Sequence, residues 1–292
     1  MPQLYQIIIK ANKIHNFYIT FKYNLIIILK NFLRKEQIID YEEQSKITRV
    51  IIKAAVLMLE FGAESILIEQ TAQRLGKALG VDSVEISLIP SAIVLTTLLK
   101  GRSATTTRRV HHKPINMSIV CDVQKMVIEI EKDKHDSDWV TTHMKNIQPN
   151  YYNRWLVILM VGLACASFSY LYGADIWAFA ITFISSSIAM YIRQELSKKR
   201  FMLILTFGIT AFIATLLSST SLLFNLTNTP NVVFAASVLL LVPGFPFVTS
   251  FLDGFKGYLS MAWGRWLQAS LLTIATCMGI ILAMSVLNIK GW

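Results

Sequence analysis

The chain has 292 residues, a formal net charge of +10 and 54% apolar residues, which excludes an ordinary soluble protein. The charge is unevenly divided: 21 of the 28 basic and 15 of the 18 acidic residues lie before Trp155, leaving seven and three for everything after it. The basic excess flanks apolar segments without a recognition motif, which argues against a nucleic-acid partner, and Cys121, Cys165 and Cys277 are too scattered for a disulfide or metal framework.

Residues 1–43 form a poorly defined extension rich in Ile, Asn, Lys, Tyr and Phe. They lack the small-residue cleavage site of a signal peptide, and the apolar run Ile14–Leu29 is short for a membrane span and carries Lys22. Three readings compete: an extra anchor helix, a helix lying on the membrane surface, or a start assigned upstream of the true one. The composition favours the last, or a poorly packed extension.

Residues 44–150 read as a compact cytoplasmic α/β domain. Ile47, Ile51, Ala54, Met58 and Phe61 repeat at helical spacing up to Gly62, and Ile68, Ala72, Leu75 and Leu79 form a second apolar stripe ending at Gly80. The period then changes to two: Val84, Ile86 and Leu88 alternate with Ser83, Glu85 and Ser87, as in a half-buried strand. Two further β runs flank Lys100-Gly101-Arg102, a hairpin turn. Asn116 is placed to cap a helix running to about Lys132, with Ile119, Val123, Met126 and Ile130 inward. "EKDKHDSD" reads as a solvated linker, and Tyr151, Tyr152 and Trp155 suit a membrane interface.

Residues 151–292 read as a transmembrane domain with five spans near 155–172, 175–192, 201–224, 232–252 and 266–288, each close to or above the roughly 20 residues needed to cross hydrocarbon. The expected fold is thus a membrane α-helical bundle of five transmembrane helices preceded by the α/β domain. Arg154, Arg193, Lys198, Lys199, Arg200, Lys256 and Arg265 all fall on one side of that bundle, which predicts a cytoplasmic N-terminal domain and an outward C-terminus; Lys290 argues the other way.

Four acids in the first domain are candidate chemical groups. Glu64 falls on the stripe of Ile68 and Ala72, where a carboxylate must be paired or protonated; Glu69 lies elsewhere on that helix; Asp82 and Glu85 begin the strand that follows. Convergence of Glu64, Asp82 and Glu85 would make a proton, cation or hydrolytic site, whereas the plain alternative is a carboxylate favoured by a helix N-terminus. His111-His112 is a poor metal pair, since neighbours on a strand face opposite ways. Gly162/Ala166 and Gly279/Ala283 allow close helix packing, and Ser185-Ser186-Ser187 either lines a polar path or bonds to backbone carbonyls. The fourth span holds Pro243-Gly244-Phe245-Pro246 near its middle. A helix break at membrane depth requires shelter by protein or a cavity, and transporters use such breaks to hold ions. A simple proline kink needs only one of these prolines.

The segments "GAESILIEQTAQRLGKALGVDSVEISLIPSAIVLTT", "QPNYYNRWLVILMVGLACASF", "AMYIRQEL" and "AASVLLLVPGFP" closely resemble the threonine/serine exporter family, from about Gln44 to Trp292. The likeness is to the large subunit of its split bacterial members. It implies a separate small integral-membrane partner subunit, the inner membrane as location, and small carboxylates, succinate first, as cargo; the fused members imply threonine and serine instead. It maps an N-terminal motif onto Gly62, Ala63, Glu64, Ser65, Glu69, Asp82 and Glu85, and a membrane motif onto Pro243, Gly244 and Pro246. No Walker A motif is present, and no cofactor or metal is expected. The expected function is a secondary exporter subunit in which Pro243, Gly244, Phe245, Pro246, Arg193 and Arg265 receive the anion, and Glu64, Glu69, Asp82 and Glu85 gate or couple its passage. The rivals are a threonine/serine exporter, a membrane-anchored hydrolase built on the N-terminal acids, and a regulatory subunit whose partner alone forms the path.

Overall fold

The computed structural model describes residues 41–133 and 135–289. The expectations for the N-terminal extension before residue 41 and for Lys290 lie outside the described residues. The chain is mostly helical, with a three-stranded sheet in its first half.

Residues 41–60 form α1, whose Ile47, Ile51, Ala54 and Met58 are buried as their spacing predicts. Gly62 ends it at φ 93, a left-handed conformation that costs glycine nothing, with Gly62 N–H bonded to Leu59 O and Ala63 N–H to Met58 O. That tight stop turns the chain directly into α2 (Ser65–Ala78), which buries Ile68, Ala72 and Leu75. Strands β1 (Ser83–Ile89), β2 (Ala92–Leu99) and β3 (Arg102–Arg109) form an antiparallel meander. Lys100 and Gly101, both at positive φ, make the two-residue turn that suits the strand twist. Asn116 accepts from Ser118 N–H and caps α3 (Met117–Lys132), which buries Ile119, Val123, Met126 and Ile130.

The expected linker "EKDKHDSD" is shorter than its composition implies. Glu131 and Lys132 still belong to α3, and Asp136 caps a further helix, α4 (Ser137–Asn146), through Trp139 N–H. Only Val140 of α4 is buried, so its apolar periodicity is too faint to read in sequence.

Helices α5 (Arg154–Leu171), α6 (Ile176–Lys198), α7 (Leu203–Ser218), the single turn α8 (Thr220–Leu223), α9 (Pro230–Val238), α10 (Gly244–Phe255) and α11 (Leu259–Val286) make the apolar bundle. Among the described residues four segments are long and apolar enough to cross a membrane by themselves: Arg154–Leu171, Ile176–Lys198, Leu203–Leu223 and Leu259–Val286. The fourth expected span is not one helix. It is Pro230–Leu241 joined to Gly244–Phe255 at a 61° bend, so five spans result only when that pair counts as one. The last span starts at Leu259, before the expected 266, because Tyr258 and Met261 are drawn into the core of the first half alongside Ile51, Met58 and Leu88.

The bundle closes on small residues. A Cβ at Gly279 would lie 2.2 Å from the Gly208 carbonyl oxygen, so α7 meets α11 nearly backbone to backbone, whereas one at Gly162 would lie 2.1 Å from Ser187 Oγ, so α6 side chains fill the space against α5. Buried hydroxyls mostly return to their own helix, as Thr210 Oγ1 does to Thr206 O and Thr276 Oγ1 to Leu272 O. The first half sits on one end of this bundle, with the β1–β2 turn so close that a Cβ at Gly264 would meet Pro90 Cγ at 2.3 Å.

Candidate functional site

The junction between the two halves is built around the turn Gly62-Ala63-Glu64-Ser65, which projects from the end of α1 onto the α10–α11 hairpin. Because Glu64 is the N-cap residue of α2, its side chain leaves the helix at the junction; it makes no capping hydrogen bond and reaches Lys256 Nζ at 2.9 Å instead. Its carboxylate is half-buried and paired, so it neither lies on a buried face nor caps the helix, as the sequence alternatives had it. Ser65 N–H, the first amide of α2, donates to Asp253 Oδ1 at 3.2 Å. Arg265, on α11, donates through Nη2 to Ala63 O at 2.6 Å and holds Nε 3.3 Å from Asp253 Oδ2. One turn into α2, Glu69 accepts from the Tyr258 hydroxyl and from Gln73 Nε2. Burial, and then the Glu69 carboxylate it is bonded to, pushes the Tyr258 phenol above its ordinary pKa, so the tyrosine stays a donor.

The helix break lies on the same side. Leu241 is buried and Val242 exposed where the backbone leaves the helix. Gly244 N–H bonds Val242 O at 2.8 Å around Pro243, an inverse γ-turn with φ −80 and ψ 57, and α10 starts at once. Pro243 offers no side-chain cap, Pro246 has no N–H, and the Phe245 N–H has no partner among the described residues. At the end of the preceding half-helix Arg193 Nη1 donates to Leu240 O at 3.1 Å and stacks 4.7 Å from the Phe207 ring centre. A cation there complements the negative end of the half-helix.

Two clefts flank the junction and share Ile115. A small one, about 80 Å³, is lined by Gly62, His112, Lys113, Phe245, Pro246 and Arg265 among others. A broader one runs past Asn116, Tyr152, Arg154, Arg193 and Lys198. Arg265 borders the small cleft beside Phe245 and Pro246, and Arg193, bonded to Leu240 O just before the break, borders the broader one. Lys113 is tied to Glu60 at 2.6 Å, and Arg154 to Glu195 at 2.5 Å.

The structure brings together Glu64, Glu69, Arg265 and the Pro243–Pro246 break, with Arg193 behind the break. It does not bring Asp82 and Glu85 there. Asp82 lies past the far end of α2, about 20 Å of helix away, where it accepts from Lys100 N–H at 2.7 Å and braces the β2–β3 turn. Glu85 points outward from β1. The expected convergence of Glu64, Asp82 and Glu85 therefore fails, and with it the hydrolytic site; period-two reading located the strand but not the direction in which α2 delivers it. Sequence reading passed over Lys256 and Tyr258, which carry no pattern of their own. Asp253 was legible: acids are nearly absent from the spans, and Asp175 and Asp253 at their ends are, with the first half of the chain or another subunit, where the sequence puts any proton-coupled chemistry.

The family model described as "Putative threonine/serine exporter" matches residues 49–287. The chain is 45% identical over 252 residues to the "Probable succinate transporter subunit YjjP" of Escherichia coli K12, covering 86% of this chain and 98% of the relative. It is 44% identical over 254 residues to the protein of the same name from Klebsiella aerogenes, covering 87% and 98%. An uncharacterized Haemophilus influenzae protein is 45% identical over 136 residues, 47% of this chain and 46% of the relative. No solved structure matches the chain significantly.

Proposed function

The chain belongs to the threonine/serine exporter family, and from that premise we propose that it is the large subunit of a secondary exporter of small carboxylates, succinate foremost. The observation that carries the reading is the 61° helix break, with Arg193 donating to Leu240 O just before it and Arg265, which donates to Ala63 O of the first half, lining one cleft with Phe245 and Pro246 after it. Such a break leaves the Phe245 backbone amide without a partner among the described residues and has a cation near each side of its sequence, which fits an anion crossing a membrane. The two relatives named as succinate transporter subunits support that cargo.

Pro243, Gly244, Phe245, Pro246, Arg193 and Arg265 form the carboxylate route. Glu64 and Glu69 couple it to the first half of the chain through Lys256 and Tyr258. Residues 44–150 form a cytoplasmic domain and residues 151–292 the transmembrane domain of an inner-membrane protein whose C-terminus lies outside. The support is that Arg154, Lys198, Lys199, Arg200, Lys256 and Arg265 gather at the end of the bundle on which the first half sits. A small integral-membrane partner subunit completes the exporter. The word "subunit" in the relatives' name supports a partner, and the exposed side of α10, with Val242, Val248, Phe251 and Phe255, gives it a surface next to the break.

Proteoliposomes holding the full chain and its partner test the reading. Labelled succinate should exchange across the bilayer and unlabelled threonine should compete poorly. Threonine exchange without succinate exchange would move the chain to the hydroxy amino acid branch of the family. Succinate exchange by the partner alone would reduce this chain to a regulator.

A further inference from the structure

Asp253 is fully buried near the C-terminal end of α10. Its Oδ1 accepts from Ser65 N–H, but Oδ2 makes no hydrogen bond among the described residues, although it lies 3.3 Å from Arg265 Nε. Ser65 Oγ, also fully buried, has no hydrogen-bond partner among the described residues. Arg265 is shared in a telling way: it faces Asp253 on one side, holds Ala63 O with Nη2, and lines the small cleft beside Pro246 and Thr249.

The other charged groups around Asp253 are already engaged. From α2, Glu64 is paired with Lys256 and Glu69 accepts from Tyr258, and both partners come from the α10–α11 turn. Across the cleft, Lys113 is paired with Glu60, and His112 lines the wall. Asp253 is left with the loosest hold on a cation that also borders open space.

Resting on the carboxylate-exporter reading, we propose that Asp253 is a resident counter-ion which cargo displaces from Arg265, and that it takes up one proton when displaced. A second carboxylate entering the cleft competes for the same guanidinium, which binds carboxylates through several donors. A buried aspartate stripped of its cation is costly, and a proton removes that cost. The proton goes to Oδ2, the oxygen with no hydrogen bond, while Oδ1 keeps the Ser65 amide. One carboxylate of the cargo arrives at Arg265 and one charge is neutralised on Asp253, so the charge facing Arg265 is unchanged, while the second carboxylate of a dicarboxylate adds its own charge to the cleft. Cargo and proton then occupy the junction together.

Calorimetric titration of succinate into the purified full chain together with its partner subunit, near pH 7.5 in buffers of different ionisation enthalpy, counts the protons. Wild type should take up about one proton per succinate bound. Asp253→Asn keeps an acceptor for Ser65 and removes the charge, so it should take up none and bind succinate about tenfold tighter or more. Binding by wild type without proton uptake overturns the inference and leaves the carboxylate reading standing, as does equal uptake by Asp253→Asn. Should the variant fail to fold, the wild-type count alone decides. Absence of succinate binding by wild type overturns both the inference and the reading beneath it.

Discussion

Single residues at the two ends of the bundle do different work. At the end away from the first half, Asp175 caps α6 by accepting from Ala178 N–H and also accepts from Thr227 Oγ1 at 2.6 Å, tying the α5–α6 turn to the chain before α9. The Thr227 hydroxyl first, and the Ala178 amide next, hold this carboxyl below the ordinary carboxylate pKa. A depressed pKa means the charged form favours the folded state: the contribution is complete above the ordinary pKa and disappears as pH falls through the lower folded value. Asp175→Ala should therefore cost about 1 kcal/mol at neutral pH, as a lost cap does, and the cost should fall in strong acid by the part owed to the charge. Thermal unfolding of wild type and variant in detergent across that range checks it, and equal stability at neutral pH would contradict it. At the opposite end, Glu64 shows what residue-level reading can and cannot do. Its place one turn before Ile68 marked it as a carboxylate needing a partner, and it has one. That the partner is Lys256, 192 residues on, is a tertiary fact with no local trace.

Elements carry the packing argument. The glycines of the bundle are not equivalent, although both were legible as small-residue pairs. A side chain at Gly279 meets the Gly208 backbone oxygen, which cannot move without its helix, whereas one at Gly162 first meets the hydroxyl of Ser187, at the tip of a side chain. Gly279→Ala should thus destabilise the α7–α11 contact by about 1–3 kcal/mol, and Gly162→Ala by clearly less, read as loss of detergent-extracted folded protein on heating. The reverse order would show that the α5–α6 contact is the tighter one. Element boundaries followed sequence wherever a cap or glycine marked them: Asn116 started α3, Gly62 stopped α1, and Lys100-Gly101 turned the hairpin. They failed where tertiary contact decided. Tyr258 and Met261 start α11 early because they fill the core of the first half, and α4 holds on through Val140 and its Asp136 cap rather than through a full apolar face. The break at Pro243 was readable as two prolines around Gly-Phe. The 61° turn it produces was not, since proline chemistry says that a helix stops but not where the next one points.

For the whole molecule, the divided charge was the most informative feature of the sequence, because it separates a charged half from an apolar one before any element is assigned. Docking of the first half on the α10–α11 hairpin makes the two parts one mechanical unit: Glu64–Lys256, Ser65–Asp253, Arg265–Ala63 and Tyr258–Glu69 all cross between them. A reporter fused after Trp292 should be active only outside the cytoplasm if this docked end faces inward, and cytoplasmic activity would invert the proposed topology. The account as a whole turns on the interrupted helix as the place where charge crosses the bilayer. Its most direct test is succinate export by a chain in which Pro243 and Pro246 are both leucine, restoring donors and helix propensity across the break. Export should vanish while the amount of protein in the membrane is unchanged; normal export by that variant would take the break out of the mechanism.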